Sequence, residues 1–257
     1  MKKPHLILIL LFFISAFRLL SQEEAENKSL LKYIGIEAGS VFYGSEFDNV
    51  DLIRKQNQYS YPADIYNNTV MNNLYLGAKA EFILTDYNLG ILTGIRYSSL
   101  NSASGNNYSD ENNDFFYTLY KDEETAVEYL RLRGVKHTAS YIGIPIEIRY
   151  LIYKSKKIKF FGKASTDLQY QVSSKSDIFF LNEAMEIYED DVVNIFNTPN
   201  DLLSTLYFSG GIKLGKDDDI NLNLEVVFLS FILTENNSIM NNPLGGGGLQ
   251  INIQMPF

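Results

Sequence analysis

Beyond residue 30 the chain alternates. Apolar and polar residues exchange at every second position, and no segment sustains the 3.6-residue apolar period of an amphipathic helix. The final segment is the clearest. Leu249, Ile251, Ile253, Met255 and Phe257 fall on one face of an extended chain, and Gly248, Gln250, Asn252 and Gln254 on the other. Upstream, Ile142, Ile144, Ile146, Ile148 and Tyr150 oppose Tyr141, Gly143, Glu147 and Arg149. Leu74, Leu76, Ala78, Ala80, Phe82 and Leu84 oppose Tyr75, Gly77, Lys79 and Glu81. A period of two predicts strands with unlike faces. Eight are predicted, over about 33–43, 73–85, 89–99, 139–152, 158–171, 205–215, 220–233 and 247–257. Each has the 9–11 residues that a tilted strand needs to cross a bilayer. In 220–233 the apolar Val227, Leu229 and Phe231 break the polar face, which a bulge would repair. Pro145 has no N–H to donate, so a bulge or a missing ladder bond is expected around it.

The connections alternate in length. Those over 86–88, 153–157 and 216–219 are tight, and those over 44–72, 100–138, 172–204 and 234–246 are long. Asp86-Tyr87-Asn88 and Lys216-Asp217-Asp218-Asp219 are turn sequences. Short turns at one rim and long loops at the other form the pattern of an eight-stranded antiparallel up-and-down transmembrane β-barrel with long extracellular loops. An even strand count then places both termini on the short-turn side, periplasmic in a bacterial outer membrane.

Alternation alone does not say which face is inside, since a soluble lipocalin-like barrel alternates too. Three features favour apolar-out. The polar face carries Glu37, Glu81, Glu147, Asp167 and Glu225 against Lys79, Arg96, Arg149, Lys163 and Lys213, a balance suited to an interior ion-pair network. The same face holds Gly35, Gly39, Gly77, Gly94, Gly143 and Gly211, which leave room for long charged side chains in a narrow lumen. Aromatic residues gather near strand ends: Phe42, Tyr97, Tyr170, Phe208 and Phe228 toward the loop rim, and Phe82, Tyr87, Tyr150, Tyr153, Phe160 and Phe257 toward the turn rim, as two membrane girdles would.

The N-terminus reads as an address. Lys2 and Lys3 precede a run of about a dozen mostly apolar residues, Leu6 to Phe17, too short to span a bilayer but suited to a secretory signal peptide. Residues 1–21 are expected to be removed, leaving a barrel domain over 22–257. The 257 residues carry Lys+Arg 22 against Asp+Glu 31, a net charge of −9, which argues against nucleic acid as a partner. There is no cysteine, so disulfides, thiolate chemistry and a lipidated cysteine are excluded. Two histidines, His5 and His137, exclude multi-histidine metal sites, and no cofactor is expected.

The C-terminal strand, with Leu249, Ile251, Ile253, Met255 and the terminal Phe257, resembles the assembly signal of outer-membrane barrels. The segment Tyr141-Ile-Gly-Ile-Pro-Ile-Glu-Ile-Arg-Tyr150 is similar to the Pro-containing strand of PorT-like outer-membrane proteins of the Bacteroidetes. The motif covers about 20 residues and the layout the whole mature chain. The resemblance implies a cell outer membrane location, contact with membrane lipids, handling by the barrel-assembly machinery through the last strand, and an accessory role that in some members serves secretion. It carries no ligand across.

Candidate chemistry is sparse. His137 lies near Ser140 and Tyr141, and a rim hydrolase would use it with Ser140 and an acid such as Glu128 or Asp114. The plainer expectation is a solvated loop histidine. Glu183, Glu186, Glu189, Asp190 and Asp191 lack the spacing of a calcium loop and are expected on a short helix over about 182–191. Within 100–138, Phe115–Lys121 and Val127–Arg133 read as a hairpin; as membrane crossings they would make ten strands, but seven residues are too few, so an extension of the third and fourth strands beyond the membrane is expected, with Phe115, Phe116, Tyr117 and Tyr120 either a surface for a protein partner or packed against the loop's own second strand. The run Gly245 to Gly248 lacks the lysine and helix of a phosphate loop and is expected to be a flexible last loop. The interior charges would be a structural plug, a gate or a narrow channel.

Overall fold

Strands form here because alternate side chains have two different solvents to meet. A computed structural model describes residues 30–47, 53–55, 70–105, 116–123, 126–196, 199–238 and 241–257. The expected signal peptide, most of the first long loop, Phe115 and Asp114 lie outside the described residues. In chain order the elements are β1 (Leu30–Phe47), β2 (Ile53–Lys55), β3 (Val70–Leu84), β4 (Leu89–Gly105), β5 (Phe116–Glu123), β6 (Ala126–Lys154) and β7 (Ile158–Phe180). A 3₁₀ turn (Glu183–Tyr188) and α1 (Glu189–Ile195) follow, then β8 (Leu202–Leu214), β9 (Asn221–Ile232) and β10 (Asn241–Pro256).

All pairings are antiparallel. The ring runs β1, β3, β4, β6, β7, β8, β9, β10 and back to β1. The first and last strands close it through a ladder from Tyr33↔Pro256 to Phe47↔Asn241. Eight strands cross and none is left as a barrel edge. β5 pairs with β6 from Phe116↔Leu132 to Glu123↔Ala126, above the end of β4, and β2 adds to β5. The hairpin is therefore an extension and not two further crossings. The short β2 was not foreseen.

The tight turns match expectation. Asn88 takes a positive φ of 51° between β3 and β4, a conformation that asparagine accepts. Gly215, with φ 133°, starts the turn from β8 to β9, where any side chain would be strained. β6 and β7 run much further than predicted, about ten residues past the membrane-crossing stretch.

Burial settles which face is inside. Ile36, Leu76, Ile95, Ile152 and Leu249 are each more than 60% exposed, while the five acids and five bases of the polar face are all buried. A soluble barrel would do the reverse, so the apolar band is a lipid face and the fold a transmembrane barrel. Phe42, Tyr97, Tyr170, Phe208 and Phe228 face outward toward the loop end, as do Tyr87, Tyr150, Tyr153, Phe160 and Phe257 toward the turn end. Phe82 is a correction: it is buried.

Two irregularities were legible. Opposite Phe208 and Ser209, the partners on β9 are Leu229 and Val227, so Phe228 is the extra residue of a bulge. The bulge leaves Phe228 and Leu229 both exposed and returns Ser230 to the interior. At Pro145 the β4–β6 ladder lapses between Thr93↔Ile146 and Arg96↔Gly143 with no change of register, while Pro145↔Asp167 is kept on the other side. The missing donor costs ladder bonds without a bulge.

The glycine run is a second correction. Gly245 to Gly248 are not a loop but part of β10, opposite Gly44, Tyr43, Phe42 and Val41. A Cβ on Gly248 would strike the Ser40 carbonyl, and one on Gly246 the Tyr43 ring, so the tight seam between β1 and β10 excludes side chains at these two positions.

Candidate functional site

The interior is organised in layers along the barrel axis. At its centre, Arg96 on β4 donates from Nε to Glu37 Oε1 (2.8 Å), from Nη1 to Asp167 (2.6 and 2.7 Å) and from Nη2 to Glu147 Oε1 (2.9 Å). Lys79 donates to both oxygens of Glu147 (2.8 and 2.7 Å) and pairs with Glu37. Lys163 bridges Glu147 (3.1 Å) and Glu225 (2.5 Å). A second group lies toward the turn end. Arg149 donates to Glu81 Oε1 at 2.6 Å, Lys213 to Glu81 Oε2 at 3.1 Å, and the Arg149 Nη2–Glu225 distance of 4.0 Å links the two groups. All ten charged residues assigned from the sequence therefore converge on one network.

Period two places these residues on one face, and strand stagger brings them to one depth. Small residues make the space. A Cβ on Gly39 would overlap the Tyr75 ring, and one on Gly77 would lie 2.8 Å from Glu37 Oε1. The other polar-face glycines, Gly35, Gly94, Gly143 and Gly211, are packed as tightly. Removing ten charges from water is costly unless each is paired; here every one has an opposite charge within 4.0 Å, although Arg149 Nε and Nη2 and Glu225 Oε2 make no hydrogen bond.

The sequence reading missed the neutral partners. Tyr75 donates to Gln250 Oε1 (3.0 Å), Gln250 to Glu37 Oε2 (2.7 Å) and Tyr207 to Glu147 Oε1 (2.8 Å). Arg96 Cζ stands 4.4 Å from the Tyr75 ring centre and 5.6 Å from that of Tyr207, close enough for cation–π attraction. Tyr75 and Gln250 were visible on the polar face, but alternation ranks charges above tyrosines. Lys159 was also missed. It is buried at the turn rim and pairs with Asp217, which accepts from Tyr33 Oη at 3.2 Å. Burial alone would raise the Asp217 carboxyl, yet Lys159, with Lys154 and Tyr33, holds it below the usual carboxylate range.

Apolar layers flank the charges. Toward the loop end lie Val41, Tyr43, Met71, Leu100, Ala139 and Leu203, buried together. Toward the turn end lie Tyr33, Ile83, Leu151 and Phe161. The lumen is thus filled with side chains, as eight strands allow. The gate, the channel and the plug of the sequence reading all use this network.

Above the apolar layer the mouth is built over. Asn237 and Ser238, in the loop before β10, are buried, with Ser238 Oγ 2.5 Å from Ser102 Oγ. The inward residues Leu130, Leu132 and Val135 of β6 and Ile178 and Phe180 of β7 continue past the membrane and pack with Val192 and Phe196. The 3₁₀ turn and α1 therefore fold against the lumen-facing side of the β6–β7 extension. The helical expectation over 182–191 is matched in place and runs on to Ile195. Asn182 caps the 3₁₀ turn by accepting from Ala184 N, and Glu189 Oε1 accepts from Ile178 N at 3.1 Å. Among the described residues no group of acids or histidines could hold a metal ion.

His137 is a further correction. It is buried and not solvated, because β6 continues beyond the membrane and carries it on its inward face. Its Nε2 lies 2.9 Å from Ser174 Oγ, and burial lowers its pKa to about 4. The rim-hydrolase pair with Ser140 is not formed: the Ser140 hydroxyl faces outward and accepts from Tyr97 Oη at 2.9 Å. The backbone of Glu128 pairs with Lys121 in the hairpin.

No protein family and no curated protein matches the chain. Solved structures similar to it include the outer membrane protein OprG from Pseudomonas aeruginosa, at 7% identity and a TM-score of 0.42 over 88% of this chain and 96% of that one. Others are Ail of Yersinia pestis in complex with the heparin analogue sucrose octasulfate (8%, 0.30, covering 88% and 97%) and the outer membrane protease OmpT from Escherichia coli (8%, 0.33, covering 90% and 97%). At these identities and scores the likenesses carry no functional weight. The ring of eight pairings, the lipid-type outer face and the paired interior charges identify the chain as a transmembrane β-barrel of outer-membrane architecture.

Proposed function

We propose that this protein is a non-conducting barrel of the bacterial cell outer membrane, and that it acts as an accessory or interaction component of the envelope through the folded structure on its loop side. One observation carries the reading. The chain spends a hydrophobic cluster, Leu130, Leu132, Val135, Ile178, Phe180, Val192 and Phe196, on holding the β6–β7 extension and α1 as an ordered outcrop, while the lumen is closed. A built surface above a plugged barrel is suited to contact and not to passage.

In this reading residues 1–21 are a removed signal peptide and both termini are periplasmic. The outward row Leu249, Ile251, Ile253, Met255 and Phe257 engages the assembly machinery before the β1–β10 seam closes. The Pro145 strand, similar to that of PorT-like proteins, supports a secretion-related role.

The test is site-specific photo-crosslinking in native membranes. Ile187, exposed on the outcrop, is the probe position and Ile152, at the turn rim, the control. A discrete adduct to another envelope protein is expected from position 187 alone. No reproducible adduct, or the same adducts from both positions, would sink the reading.

A further inference from the structure

The outer surface of β6 and β7 changes character abruptly at the loop-side edge of the apolar band. Tyr97, Ile142 and Tyr170 stand side by side across three strands, all exposed. Beyond Val172, which is also exposed, the outer face turns polar. Thr138 Oγ1 donates to Asn101 Oδ1 (3.0 Å), and Asn101 Nδ2 to Asn72 Oδ1 (3.2 Å). Above that ledge come the cations. Lys175 is paired across the ladder with Thr138, and Lys136 with Asp177. Lys136 and Arg131 are exposed, while their neighbours Leu130, Leu132, Val135 and His137 are buried, so both bases point away from the lumen. Asp177, 2.5 Å from Lys175, is the acid among them. The five acids from Glu183 to Asp191 lie on the 3₁₀ turn and α1, which pack against the inward face; Glu189 reaches the β7 edge, where its Oε1 accepts from Ile178 N and its charge acts on Lys175. On the outward face itself Lys136 and Lys175 outnumber Asp177.

The heights fit a membrane surface. The Thr138–Lys175 pair lies four residues beyond Ile142 along β6 and five beyond Tyr170 along β7, where a bulge adds one residue. At about 3.3 Å per residue and a tilt of about 45°, that is roughly 9 Å above the apolar band. Lipid headgroups extend roughly 5–7 Å beyond the hydrocarbon. A lysine side chain is long enough to bend back and meet a phosphate at that level.

We propose that Lys136 and Lys175 hold a phosphate group of an anionic lipid in the loop-side leaflet, its acyl chains lying against Ile142 and Tyr170. The proposal rests on the barrel spanning a bilayer. Phosphate next to an apolar surface is the chemistry these residues fit: clustered lysine and arginine immediately beyond a hydrocarbon-facing band attract anionic headgroups.

The experiment is native mass spectrometry of the folded barrel in detergent, titrated with bisphosphorylated lipid A and, separately, with phosphatidylcholine. Tighter binding of lipid A is expected. Lys136→Gln with Lys175→Gln should weaken it roughly thirtyfold, about fivefold per charge. Lys136→Arg with Lys175→Arg should retain it. Equal binding of the two lipids, or no loss in the glutamine variant, would overturn the proposal. Competition by excess inorganic phosphate would overturn the lipid source. Faster migration of the unboiled protein on a gel checks the barrel itself. Its failure in the wild type would overturn the transmembrane reading, and only then would the lipid result lose its meaning.

Discussion

Glu147 is the residue on which most of the interior depends. Its two oxygens accept from Lys79, Arg96, Lys163 and Tyr207, from four different strands. Glu147→Gln keeps the shape but leaves three cations facing a neutral amide that offers them half the acceptor capacity. Removing one partner of a buried pair costs about 3–5 kcal/mol, and the same range is expected here. Urea unfolding of the barrel in lipid vesicles, followed by gel mobility without boiling, reads it directly. An unchanged midpoint would mean that the network is not a stabilising plug. The charges of the network were legible from period two. Tyr75, Tyr207 and Gln250 became part of it only through the stagger of the strands, which no local pattern encodes.

Among the elements, the β6–β7 extension combines a hydrophobic cluster with one buried titratable group. His137 sits inward, beyond the apolar band, and burial lowers its pKa to about 4 from an ordinary 6.5. A group depressed in the folded state takes up its proton first when the extension opens. The extension is therefore fully stable above about pH 6.5, loses stability as pH falls toward 4, and loses no more below that. The loss amounts to about 3 kcal/mol at most. Limited proteolysis or hydrogen exchange at residues 183–195 should show opening that rises over this window, and His137→Gln should flatten it. Protection that is flat from pH 7 to 4 in the wild type would contradict the buried, neutral imidazole. The pattern of residues predicted a hairpin and a helix here. It did not predict that they fold together over the mouth, since that depends on Leu132 and Phe180 meeting Val192 in space.

For the whole molecule, the closed ring and the layered lumen decide what the barrel can pass. Charges at the centre would favour ions, but Met71, Leu100 and Leu203 on one side and Tyr33, Ile83 and Phe161 on the other close the path with apolar side chains. In planar bilayers the purified protein should give no stepwise conductance, and Glu147→Gln or Arg149→Gln should not create it. Regular steps in the wild type that change with either substitution would restore the channel.

By itself the sequence determined the strands, their two faces, the tight turns and the ten interior charges, because alternation reports local backbone geometry and the solvent on each side. It also marked the bulge near Phe228 and the ladder gap at Pro145, because a doubled apolar run and a missing N–H are local defects. Other features were decided only by the tertiary structure. Gly245 to Gly248 became strand because they pair with β1 across the closing seam, where Gly246 and Gly248 leave no room for a side chain. His137 became buried because two strands outlast the membrane. The charges became a network, and Lys159 joined Asp217, because neighbouring strands are staggered in depth. These outcomes depend on distances between residues far apart in the chain, and a pattern with a period of two holds no record of them.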